Sequence, residues 1–177
     1  MKSVPSLLFG FSASRSGRCM LVVLALCAFP LLASAQHKPV TTDELTQQAD
    51  LIVVGKVAGL KAGWNTDRSR IITTVTLAVD QTLKGDAGTG SVTILVPGGE
   101  VDGVGELYSH TAQFKKDEEV VVFAKKDKQG RLRTTGGENG KLSIRKDAAS
   151  GISLVSGETA LDEFTANVRN AAGSQKK

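Results

Sequence analysis

Residues that commonly carry chemistry are scarce in this chain. Its 177 residues hold two cysteines, two histidines, one tryptophan and one tyrosine. Both cysteines, Cys19 and Cys27, precede residue 36. A chain beginning at Gln36 therefore has no thiol, which excludes disulfides and thiolate metal sites. No apolar run reaches the about 20 residues that a membrane-spanning helix requires. Aromatics make up 5% of the chain. After residue 35 they are Trp64, Tyr108, Phe114, Phe123 and Phe164. That is too few for a base-stacking surface, so no nucleic-acid partner is expected.

What is present begins with an export pattern. Lys2, Arg15 and Arg18 stand in an amino-terminal region without acidic residues. An apolar run from Cys19 to Leu32, interrupted by Pro30, leads to Ala33-Ser34-Ala35, a small-x-small cleavage site. Arg18 and Leu26 precede the two cysteines, where lipid attachment would need a small residue. The expectation is a cleaved signal peptide over 1–35 and a secreted or periplasmic product without a stable membrane anchor. The net charge of +4 is mostly a property of the signal. Residues 36–114 sum to −3, 115–146 to +5 and 147–177 to −1. The basic stretch is read as solvated strand faces with interleaved charge.

The remaining chain is long enough for one self-standing domain. A polar leader and short helix are expected over 36–48, because Thr41 and Glu44 have capping-box spacing. Residues 49–155 read as strands. Leu51–Val57 is apolar on both faces, and Val120–Ala124 is apolar throughout. Residues 71–84 alternate: Val75, Leu77 and Val79 point to a core, while Thr74, Thr76 and Asp80 face water. Its length suggests a bent strand with different neighbours along its course. Further strands are expected at 91–96, 131–135, 141–145 and 152–155, with a glycine-rich loop from Gly98 to Phe114. A helix over 156–172 is expected to start at Thr159 and Asp162 and to pack by Leu161, Phe164, Val168 and Ala171. Residues 173–177 read as a disordered tail. The class is mainly β: a small antiparallel OB-like barrel of about six strands between two helices.

Ala49-Asp50-Leu51-Ile52-Val53-Val54-Gly55-Lys56-Val57 resembles the first strand of netrin-like and metalloproteinase-inhibitor OB barrels. Leu83-Lys84-Gly85, Pro97-Gly98-Gly99-Glu100-Val101, Glu118-Glu119-Val120-Val121-Val122-Phe123 and Gly140-Lys141 extend the pattern. Over about residues 49–146 the chain is similar to a group of largely uncharacterised exported bacterial domains, some of which accompany secreted metalloproteases. The resemblance implies a barrel and an accessory role beside a secreted protease. Animal inhibitors of this kind chelate the protease zinc with an amino-terminal cysteine. The expected end here is Gln36-His37-Lys38, so that mechanism does not transfer. Asp117 stands where related sequences often have glycine, and aspartate tolerates left-handed backbone.

Candidate contacts fall in two loops. Trp64, Asn65, Asp67 and Arg68 lie in the turn after the first strand, where Trp64 would either sit at a loop tip or fold back over the barrel. Glu100, Asp102, Glu106, Tyr108 and His110 lie in the glycine-rich loop. The three carboxylates there match no known calcium loop. Ser109 and His110 are adjacent and point apart, a poor nucleophile–base pair. Asp117-Glu118-Glu119 is an acidic turn without a sequence partner. No catalytic residue, metal ligand or cofactor is assigned. The first expectation is a non-enzymatic exported binding or accessory domain with an unidentified protein partner. A ligand carrier, a structural envelope protein and a hydrolase with residues gathered from loops stay open beside it.

Overall fold

The computed structural model describes residues 40–174. The signal segment, the first part of the polar leader and the end of the tail lie outside the described residues. Helix α1 (Thr42–Gln48) begins as its sequence dictates. Thr41 Oγ1 accepts the Glu44 N–H at 3.2 Å, and Glu44 Oε2 accepts the Thr41 N–H at 3.1 Å. Two amides without helical partners are thereby satisfied.

The strands are β1 (Leu51–Trp64), β2 (Ile71–Lys84), β3 (Ser91–Pro97), β4 (Gly99–Val101), β5 (Val104–Glu106), β6 (Glu119–Lys126), β7 (Leu132–Thr134), β8 (Lys141–Lys146), β9 (Ser153–Val155) and β10 (Thr159–Ala160). Helix α2 (Leu161–Gly173) follows. Strands β1, β2 and β3 form an antiparallel meander. Strand β7 joins β3 in parallel, β6 pairs antiparallel with β7, and β6 returns to β1. Five strands thus close a barrel in the order β1-β2-β3-β7-β6, the OB arrangement. Strand β8 continues outward from β6, followed by β9 and β10.

Closure depends on β1 bending. Its amino-terminal half pairs with both β2 and β6, while the rest pairs with β2 only. The register against β2 shifts at Ile52/Val53, Val54/Gly55 and Val57/Gly59. Such bulges increase local twist and turn the strand. Gly55 sits so close to β2 that a Cβ there would overlap the Ala78 carbonyl oxygen.

Two cores explain the strands that are apolar on both faces. Leu51, Val53, Val75, Leu77, Ile94 and Val122 fill the barrel interior. On the outer wall Ile52, Val54, Val121 and Phe123 meet Leu45 of α1 and Phe164 and Val168 of α2. The Phe123 and Phe164 rings make an edge-to-face contact with centroids 6.5 Å apart. Along β2, Val75 and Leu77 are buried and Asp80 is exposed, as the alternation requires. Val79 is half-buried, as are Thr74 and Thr76 on the outer face.

Three local expectations need correction. Strand β1 runs through Trp64, which pairs with Ile71, so Trp64 ends a strand and is not in a turn. The glycine-rich loop contains the β4–β5 hairpin. Five strands close the barrel, in keeping with the expected OB-like barrel of about six, and β8 to β10 lie beyond it. Helix α2 has Ala160 as N-cap without a side-chain cap bond, and Thr159 belongs to β10. Asp117 takes φ 65°, the left-handed conformation anticipated for it.

Candidate functional site

The β4–β5 hairpin lies against the carboxy-terminal end of β1 and the amino-terminal end of β2, where Trp64 pairs with Ile71. Gly98 and Gly99 make this approach possible, with φ of 96° and 131°. A Cβ on Gly98 would stand 2.7 Å from the Glu106 carbonyl oxygen. One on Gly99 would stand 2.5 Å from Thr73 Oγ1 and 3.0 Å from Ala62 Cβ. The hairpin is bonded in place from both ends. Thr73 Oγ1 donates to the Gly98 carbonyl at 2.7 Å, and the Gly98 N–H donates to the Ile71 carbonyl at 2.8 Å. Glu106 Oε2 accepts the Ile71 N–H and the Tyr108 hydroxyl, each at 3.0 Å. That hydrogen bond to Glu106, aided by partial removal from water, raises the Tyr108 pKa.

Between hairpin and barrel mouth is a cleft of about 750 Å³. Leu60, Ala62, Val96 and Phe114 supply apolar lining, and Glu100 and Glu106 supply carboxylates. Leu107 lines the cleft with 85% of its surface exposed. An exposed leucine beside apolar lining offers area to a binding partner.

Of the loop candidates, Glu100 and Glu106 reach this cleft, and Tyr108 is tied to it through Glu106. Asp102 takes φ 51° in the turn between β4 and β5. His110 lies elsewhere: its Nδ1 is 3.3 Å from Glu138 Oε1, with the two side chains 76% and 57% exposed. Neither residue lines the cleft. The acidic turn also diverges. Asp117 pairs with Lys56 at 3.2 Å, whereas Glu118 turns inward to Lys141 and Ser143. Among the described residues, no three His, Cys, Asp or Glu side chains come together in a way that would hold a metal ion.

Of the other candidates, Trp64, Asn65 and Asp67 line a second groove, of about 610 Å³, and Arg68 does not. Asn65 and Asp67 are committed to their own turn. Asn65 Oδ1 accepts the Ser69 and Arg70 N–H groups at 2.9 and 3.0 Å, and Asp67 Oδ2 accepts the Ser69 hydroxyl at 3.0 Å. Arg68 occupies φ 53° in the same turn. Trp64, 36% exposed, lines the groove together with Arg70, Ile72, Leu95, Pro97, Arg131 and Arg133.

Sequence reasoning reached the loop that ends at Arg70 but missed Arg131 and Arg133. The available signal was Arg131-Leu132-Arg133, whose alternation sends both cations to the face opposite Leu132. Leu132 packs on the barrel interior. Asp127 orients the pair, accepting Arg131 Nε–H at 2.9 Å and Arg133 Nε–H at 3.3 Å on Oδ2. Its Oδ1 accepts the main-chain N–H groups of Gln129 and Arg131, each at 2.9 Å. Removal from water raises the Asp127 pKa, but these bonds to Arg131, Gln129 and Arg133 outweigh it and leave the value at about 2.

Among the described residues, no helix is long and apolar enough to cross a membrane. The chain matches no protein-family model and no curated protein.

Proposed function

We propose that this protein is an exported, non-enzymatic binding or accessory domain that engages a partner protein through the cleft at its barrel mouth. The observation that carries the reading is the framed cleft itself. Its hairpin wall is fixed by Glu106, Thr73 and Gly98, and its lining joins apolar side chains to an exposed leucine. A pre-formed apolar concavity with a few polar groups is the usual form of a binding site. The carboxylate beside His110 is solvent-exposed and away from the cleft, which favours a surface contact over an acid–base pair. A secreted protease is the partner class suggested by the sequence resemblance, at the level of fold analogy.

The test uses the exported protein immobilised as bait for other exported proteins of its source, beside a Leu107→Asp variant. Leu107 is almost wholly exposed, so the variant should fold normally. A partner retained by the parent and lost at least about tenfold by the variant supports the reading. Equal retention would overturn it. Intact mass of the same material tests the export expectation: processing after Ala35 leaves a chain beginning at Gln36.

The size of the cleft favours a second reading, a small-molecule carrier, since ligand pockets commonly enclose about 300–1,000 Å³. Native mass spectrometry of gently purified protein decides it. A bound small molecule displaced in Leu107→Asp would support the carrier, and ligand-free protein would count against it.

A further inference from the structure

We infer that the arginine-lined groove between the β1–β2 turn and β7 is a second binding site, made for an acidic segment of a partner polypeptide. The groove exists because β3 and β7 meet at a single register pair, Ile94 with Leu132. Beyond that pair the two strands no longer form a ladder. Leu95 and Pro97 of β3, with Ile72 of β2, then present an apolar floor. Arg131 and Arg133 stand on one wall and Arg70 on the other.

Two features separate this groove from an ordinary solvated basic face. The first is pre-organisation. Asp127, whose side chain is only 14% exposed, holds both Arg131 and Arg133, so their planes are set before any ligand arrives. Arg131 spends its Nε–Nη2 edge on Asp127 and Gln129 and Arg133 spends its Nε–H on Asp127, which leaves Nη1 of Arg131 and the Nη groups of Arg133 to donate to an incoming carboxylate. The second is the charge excess. Three guanidinium groups, those of Arg70, Arg131 and Arg133, stand against two carboxylates, Asp67 in the groove lining and Asp127 behind Arg131 and Arg133. Arg70 makes its contacts to Asn65 through the main chain. The groove therefore offers more cationic than anionic capacity to an incoming group.

The mixed lining selects the ligand class. A uniformly charged polymer would meet the Asp67 carboxylate at close range and would leave the apolar floor unused. A peptide with carboxylates separated by apolar residues satisfies both the arginines and the floor. This groove shares only Pro97 with the lining of the barrel-mouth cleft, and its test does not depend on the cleft being occupied.

Trp64 is the only tryptophan of the chain and lines the groove, so its emission reports occupancy directly. The exported protein is titrated with acetyl-Leu-Glu-Leu-Glu-Leu-amide and, separately, with the same peptide carrying glutamine for glutamate. The expected result is a saturable change in Trp64 emission with the glutamate peptide. Affinity should be at least about tenfold weaker with the glutamine peptide, and weaker still in high salt than in low salt for the glutamate peptide. Arg70→Gln, whose side chain lies outside the Asp127 network, should lose about tenfold, and Lys116→Gln, which removes one positive charge at an exposed position outside the groove lining, should bind as the parent does. Circular dichroism checks that Arg70→Gln is folded, and Arg133→Gln serves as a second variant with the same expected loss. Equal binding of both peptides, or unchanged binding in both arginine variants, would overturn the proposal. So would tighter binding of inorganic phosphate or dextran sulfate than of the glutamate peptide, or no Trp64 response at millimolar peptide.

Discussion

Lys141 Nζ lies 2.6 Å from Glu118 Oε1, and both side chains are largely withdrawn from solvent, at 13% and 19% exposure. This ion pair fastens β8 to the turn preceding β6. The Ser143 hydroxyl donates to the same Glu118 oxygen at 2.7 Å, and the Lys115 N–H donates to the other at 3.2 Å. The ammonium also stands 5.9 Å from the centre of the Phe114 ring, beside the barrel-mouth cleft.

Breaking this pair should be costly, because a partly buried carboxylate would lose its cation. Lys141→Met is expected to lower stability by about 3 kcal/mol, read from denaturant midpoints. The pH dependence follows from Glu118. Removal from water raises its pKa, but the bonds from Lys141, Ser143 and Lys115 outweigh this and leave it below the ordinary carboxylate value. The folded state therefore binds fewer protons than the unfolded state as pH falls through the carboxylate range. The contribution is complete above the unfolded pKa of about 4.3 and is lost as pH drops through the lower folded value. Glu118→Gln should flatten that part of the acid limb, and an unchanged limb would count against the assignment.

The long strand offers a test of register. Leu77 is fully buried in the barrel interior, whereas Thr76 is half-buried on the outer face. Leu77→Ala should cost about 2–5 kcal/mol. Thr76→Ala should cost less than about 1 kcal/mol. Urea melts showing equal losses would mean that the two faces are not distinguished energetically.

Two hairpin glycines separate backbone conformation from crowding. Gly103, at φ 77°, has open space where a Cβ would stand, whereas Gly99 is crowded by Thr73 and Ala62. Gly103→Ala should cost about 1–2 kcal/mol from conformation alone. Gly99→Ala adds a clash and should cost about 2–4 kcal/mol while displacing the hairpin from β2. Thermal unfolding of the two variants, with hydrogen exchange at Ile71, makes the comparison. Faster exchange in Gly99→Ala alone is the expected signature.

Trp64 is neither free at a loop tip nor sealed over the barrel. At the end of β1, paired with Ile71 and 36% exposed, it should emit between the wavelengths of free and buried tryptophan. Trp64→Ala should lower stability by about 1 kcal/mol, well short of the several kcal/mol lost with a core aromatic. Fully blue-shifted emission together with a large stability loss would place the ring inside the core.

Local rules acting over a few residues made much of the fold readable from the sequence. The Thr41–Glu44 capping box set the start of α1, the alternation of β2 selected its buried face, and the doubly apolar runs at 51–54 and 120–124 announced strands covered on both sides. Asp117 was readable too, because its left-handed backbone is a property of one residue. The tertiary structure alone decided which surfaces come together. Arg70 and Arg133 share a groove because β3 parts from β7 after one register pair, and Glu106 frames the cleft because its carboxylate stands in for a strand partner at Ile71. Such contacts join positions far apart in the chain through barrel closure and twist, and no periodicity within a single segment encodes them.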